Sequence, residues 1–190
     1  MSKIINKKPV WFLDVDGVIN VLPYNPTLKS QPYHKVWDNW AITNVLNYTI
    51  TYSPDLIDEI NRLSEVVDIH WLTTWQSKAA INLAPALGLK NFSVADADGS
   101  NRTSETFFVS TVERWWKLNA VIEDLEIHSR PVIWTDDDIN NKTVGAFIKT
   151  YSEDKNVPLK TMSPFSFLGL EPHHIKNIGD FARNNSAPNS

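Results

Sequence analysis

Asp14 and Asp16 stand one residue apart and are followed at once by Gly17. In an extended backbone, residues i and i+2 point the same way, so both carboxylates face one site. Two carboxylates forced together repel, and one stays protonated unless a cation lies between them. The spacing therefore points to a divalent-metal and acid/base pair. Gly17 tolerates backbone angles that other residues avoid and lets the chain turn sharply behind the pair. The plain alternative is an acidic turn, since Asp-Gly is common in hairpins and Asp-x-Asp-Gly alone carries little information. Two later segments repeat the chemistry. Thr73 and Thr74 follow an apolar run ending at Leu72, and Asp136, Asp137 and Asp138 follow Val132-Ile133-Trp134-Thr135.

The elements that must position these groups follow from hydrophobic patterning. Residues 10–13 are all large and apolar, too few for a helix, and read as a buried strand. Three prolines between residues 23 and 32 impose a loop. Residues 35–41 and 45–52 then read as two short strands, a hairpin flap standing over the site. Trp37, Trp40 and Tyr48 either line that site or pack the base of the flap. Ser53-Pro54-Asp55 is a helix start, with a cap, a proline at the first position and an acid in the first turn. Residues 66–72 form the next strand, followed by a helix from about residue 76 that ends before Pro85 or by Gly88. A short apolar piece at 92–94 leads to a polar loop. Ser110-x-x-Glu113 then reads as a capping box opening a helix to about residue 127. A strand at 132–134, a helix at 139–150, a strand at 159–162 and a last helix from Glu171-Pro172 through Phe181 complete the chain. This alternation predicts one α/β domain over residues 1–183, a Rossmann-like doubly wound parallel sheet, with a loose polar tail at 184–190. Right-handed crossovers put the strand ends at Leu13, Leu72 and Trp134 on one edge, where such sheets bind their ligands.

Composition sets the outer limits. With 190 residues, 42% apolar and 21% charged, the chain has the make-up of an ordinary globular domain. A net charge of −4 gives no electrostatic case for broad nucleic-acid binding. The absence of cysteine removes disulfides, thiolate metal sites and cysteine nucleophiles, and fits a reducing cytoplasm. No apolar run has membrane-spanning length, and residues 1–9 carry lysines without a hydrophobic signal core, so neither membrane insertion nor secretion is expected.

Leu13-Asp14-Val15-Asp16-Gly17-Val18 resembles the first motif of the haloacid dehalogenase-like superfamily of phosphohydrolases. Trp71-Leu72-Thr73 is similar to its second motif and Ile133-Trp134-Thr135-Asp136-Asp137 to its fourth. The third is a single lysine or arginine, for which Lys117 is best placed. Thr73-x-Trp75, Ala84-Pro85-x-Leu87-Gly88-Leu89 and Arg130-Pro131-Val132 further resemble a capless branch of small proteins linked to RNA-repair systems. The resemblance implies a Mg²⁺-dependent phosphatase. Asp14 would be the nucleophile that forms an aspartyl-phosphate. Asp16 would be the general acid and base. Thr73 would bind a phosphoryl oxygen and Lys117 would balance charge. Asp14, Asp16 through its main-chain carbonyl, and Asp136 would hold the metal, with Asp137 as a further metal residue.

Alternatives stand beside these roles. Thr74 can replace Thr73 at the phosphate. Asp138 is the acid best explained by the first turn of the following helix. Glu113 and Lys117 have the i, i+4 spacing of a surface ion pair, and Lys78 is another possible third-motif lysine. His173 and His174 are adjacent on a helix and are not expected to share a metal. The gaps after the first and second motifs hold no obvious inserted domain, which predicts an open site. Such a site suits a bulky phosphorylated substrate, a nucleotide or polynucleotide end, with Trp37, Trp40 and Tyr48 stacking a base for about 1–3 kcal/mol each. The reading from a different class is a catalytically idle module of the same fold that binds nucleic acid or protein.

Overall fold

The computed structural model describes residues 8–24, 31–95, 115–140 and 142–186. Its strands are β1 (Val10–Leu13), β2 (Ala41–Val45), β3 (Tyr48–Tyr52), β4 (Asp68–Trp71), β5 (Ser93–Val94), β6 (Val132–Thr135) and β7 (Leu159–Met162). The helices are α1 (Pro54–Leu63), α2 (Ala84–Leu87), α3 (Trp116–His128), α4 (Lys142–Lys155) and α5 (Pro172–Asn185). Five strands make one sheet in the order β5-β4-β1-β6-β7, parallel throughout, while β2 and β3 pair only with each other. A wholly parallel sheet needs cover on both faces, which is why β1 and β6 are buried at every residue.

Alternation along β1 divides the core in two. Trp11 and Leu13 join Leu56, Ile60 and Ile178 of α1 and α5 on one face. Val10 and Phe12 join Leu118, Val121, Val144 and Ile148 of α3 and α4 on the other. Each large side chain so buried contributes about 1.5–3 kcal/mol relative to exposure. From β1 the chain builds outward through β4 and β5, then crosses to β6 and β7 on the opposite side. The winding direction therefore reverses at β1, and the carboxyl end of β1 is the position where sheets of this kind bind their ligands. At the amino edge, Arg130 holds both oxygens of Asp124 at 2.8 and 3.2 Å and Asp68 Oδ2 at 2.7 Å, tying β4 to the entry of β6.

Several expected boundaries shift, each for a local reason. Residues 35–40 are not a strand: Pro32–Lys35 forms a 3₁₀ turn with proline at its start, and β2 begins at Ala41. Of the two ends expected for the helix after β4, before Pro85 or by Gly88, the structure has the second: Pro85 is the second residue of α2, entered from a π-helical turn at Ala79–Leu83, and the helix stops at left-handed Gly88. The proposed capping box at Ser110 and Glu113 lies outside the described residues, and α3 opens at Trp116 after an extended Trp115. Residues 139–150 become a 3₁₀ turn, Asp137–Asn140, followed by α4. Finally, α5 runs to Asn185, so Asn184 and Asn185 are helical and not tail. No helix among the described residues is long and apolar enough to cross a membrane.

Candidate active site

The β1 strand ends at Leu13, and Asp14 is the first residue past it. Its Oδ1 accepts from its neighbour's amide, Val15 N–H, at 2.8 Å. Its Oδ2 accepts from Lys117 Nζ at 2.5 Å, and the Thr73 hydroxyl also hydrogen-bonds its carboxylate. Lys117 lies in the first turn of α3 and is only 4% exposed. Its ammonium reaches Asp136 Oδ2 at 2.7 Å as well, so one lysine bridges acids that follow β1 and β6. Asp136 Oδ1 accepts from Asp138 N–H at 2.9 Å. Asp138 is exposed and serves the first turn of the 3₁₀ segment, as its position predicts.

Asp14, Asp136 and Asp137 each offer a carboxylate oxygen within 4.8 Å of the others. Three carboxylates thus face one ammonium, an excess of two negative charges when all are ionised. The protonation balance reflects this crowding. Burial raises Asp14 against the pull of Lys117. Burial drives Asp136 up to about 7, with the Asp14 charge adding to it. Burial and the neighbouring Asp138 and Asp14 raise Asp137 to about 6. Burial pulls Lys117 down, but Asp14 and Asp136 outweigh it and hold the ammonium above its ordinary range. A buried set of oxygen donors that cannot all stay charged alone fits a hard divalent cation. Gly17 leaves room for the Asp137 carboxylate beside the chain. A Cβ there would lie 2.3 Å from Asp137 Oδ2, and its φ of 74° is itself left-handed.

Asp16 is not among the three carboxylates that converge within 4.8 Å of one another. The backbone is no longer extended after Asp14, because Val18, Ile19 and Asn20 all donate their N–H to Val15 O. The Asp16 carboxylate consequently turns to other partners. Its Oδ1 accepts from Asn20 Nδ2 at 2.7 Å and its Oδ2 from Trp75 Nε1 at 2.9 Å.

Of the two threonines, Thr73 is buried against Asp14 and Thr74 is exposed. Lys78 is exposed, whereas Lys117 is inside the cluster; an ion pair between Lys117 and Glu113 falls outside the described residues. Trp37 and Trp40 are placed by packing. The Trp37 indole donates to Leu170 O at 2.8 Å and its ring lies on the core, while Trp40 donates to Trp37 O and stacks on Tyr33. The flap aromatic that meets the site is Tyr48, whose ring centroid is 5.1 Å from that of Trp75. Sequence reasoning missed Asn20 and Trp75 as partners of Asp16. The available signal was two side-chain amide or indole donors within four residues of Asp16 and two of Thr73.

His173 and His174 do come together, with ring centroids 3.9 Å apart and Glu171 close by, contrary to the expectation from helical spacing. They sit in the first turn of α5, where a capping box explains them. His174 Nδ1 accepts from Glu171 N–H at 3.1 Å, which leaves the ring proton on Nε2 and removes it as a ligand. Compared with protein-family models, curated proteins and solved structures, the chain matches none.

Proposed function

We propose that this chain is a Mg²⁺-dependent phosphatase that hydrolyses a phosphate monoester, on a nucleotide or polynucleotide end, through an aspartyl-phosphate, as its resemblance to capless haloacid dehalogenase-like phosphohydrolases implies. The observation that carries the reading is the bridge from Lys117 to Asp14 and Asp136, with Asp137 and Thr73 beside it. Four segments distant in sequence deliver complementary groups to the carboxyl edge of one sheet, beyond the needs of packing. A divalent cation held by Asp14, Asp136, Asp137 and the Asp16 carbonyl supplies charge that lets a carboxylate approach an anionic phosphate.

The chain's own groups divide the remaining work. An Asp14 oxygen attacks phosphorus while the ester P–O bond breaks, and Asp16 gives its proton to the departing oxygen. Water then attacks the phosphorus, loses its proton to Asp16, and displaces the Asp14 carboxylate as inorganic phosphate leaves. Thr73 and Lys117 hold Asp14 in line and balance the charge that develops on the phosphoryl oxygens.

Phosphate release tests this directly, from nucleotides, 3′- and 5′-phosphorylated oligonucleotides and sugar phosphates, with Mg²⁺ or EDTA. Release should need the metal, favour the nucleotide substrates, and vanish in Asp14→Asn. Turnover that persists in that variant would falsify the covalent route.

A further inference from the structure

We propose that the β2–β3 hairpin is a brace for the Asp16 carboxylate, acting through Asn20 and Trp75 as positioning residues; this rests on the phosphatase reading, in which Asp16 is the acid and base. Both oxygens of Asp16 are gripped, Oδ1 by Asn20 Nδ2 and Oδ2 by Trp75 Nε1. Each gripping group is itself held by the hairpin. Thr51 N–H donates to Asn20 Oδ1 at 2.9 Å, and Val21 N–H donates to Thr51 O at 2.9 Å, so β3 clasps the segment that carries Asn20. Tyr48, the first residue of β3, lays its ring on Trp75, which is anchored by its own N–H to Thr73 Oγ1 at 3.3 Å. Two independent routes therefore run from one strand of the hairpin to the two oxygens of one carboxylate.

An isolated two-stranded ribbon is only marginally stable, and among the described residues this one pairs with no other strand. Val45 and Ile50 are buried in the core and hold it down, while Tyr48 remains 58% exposed with its ring against Trp75. Placement of the acid matters because a proton donor must lie within about 2.6–3.2 Å of the oxygen it serves. A misplacement of about 1 Å costs on the order of 10²-fold in rate. An aspartate side chain rotates freely about its last bond unless both oxygens are held, and here they are.

The test separates positioning of an acid from packing. Leaving-group protonation is needed by an alkyl phosphate such as glycerol phosphate and hardly by 4-nitrophenyl phosphate. Trp75→Phe keeps the ring and removes the N–H. It should lower kcat/KM on the alkyl ester about 10- to 100-fold and on the aryl ester less than about 3-fold. Tyr48→Ala, at an exposed ring, should show the same preference more weakly, and guards against Trp75→Phe failing to fold. The indole N–H resonance of Trp75, identified by its loss in Trp75→Phe, should move in Asp16→Asn, a readout independent of turnover. Equal losses on both esters, no loss on either, or an unmoved resonance overturn the brace while the phosphatase reading stands. Absence of turnover in the unmodified chain on every ester ends both.

Discussion

Replacing Asp136 with asparagine in the metal-free protein should remove one part of the loss of stability with rising pH. The carboxyl has an ordinary pKa of 3.8 and is raised to about 7 in the fold. A raised acid binds more protons folded than unfolded, so its contribution to stability falls as pH rises between the two values. Between pH 5 and pH 8 the linkage spans about two pKa units, on the order of 2–3 kcal/mol lost by the unmodified chain. Asparagine does not titrate, so Asp136→Asn is spared that loss. Urea unfolding in EDTA, followed by the fluorescence of the eight tryptophans, measures both proteins at each pH. The difference between them should move by on the order of 2–3 kcal/mol in favour of the variant from pH 5 to pH 8. Mg²⁺ at a hundredfold excess over its dissociation constant should return about 2.7 kcal/mol to the unmodified chain at pH 8. It should return little to the variant. A difference that stays flat with pH refutes the claim that unbalanced acids crowd this site.

Other substitutions probe separate parts of the argument. Gly17→Ala places a Cβ against Asp137 at a left-handed position, and should abolish metal-induced stabilisation while costing more than about 1 kcal/mol of unfolding free energy. Arg130→Met strands Asp124, which is nearly buried, and should cost about 3 kcal/mol in urea unfolding without altering the metal response. Trp37→Phe removes the bond to Leu170 O and should cost about 1 kcal/mol with no change in KM for nucleotide substrates. A raised KM there returns Trp37 to the substrate.

The parts of this architecture legible in the sequence are those set by short-range rules. The apolar run at residues 10–13 must be a central strand because nothing in it tolerates water, and the acids after it and after β6 are placed by where those strands stop. Asp16 stays outside the three-carboxylate set because an i, i+2 rule holds only while the backbone stays extended, and three amides converge on Val15 O one residue after Asp14. For Trp37 and Trp40 the sequence left lining the site and packing the flap base both open, and the structure shows packing contacts for each. Indole rings satisfy packing and stacking equally well by composition, and only the register Val45↔Tyr48 shows which aromatic sits beside Trp75. The helix end at Gly88 is legible from the glycine, whereas the π turn at Ala79–Leu83 that precedes Pro85 has no sequence signal.

The central strand has a consequence for how the chain is made. Val10 pairs with Asp68 on one side and with Val132 on the other. During synthesis the first neighbour emerges well before the second, so a half-built sheet must wait with one flank of β1 bare and Asp14 without Asp136. Contacts of such sequence separation form slowly, and an uncovered parallel edge is prone to pair with other chains. A ribosome-stalled fragment ending before residue 132 should therefore associate with itself and ignore divalent ions, whereas release of the last third of the polypeptide closes the sheet and creates the ion's seat in the same event.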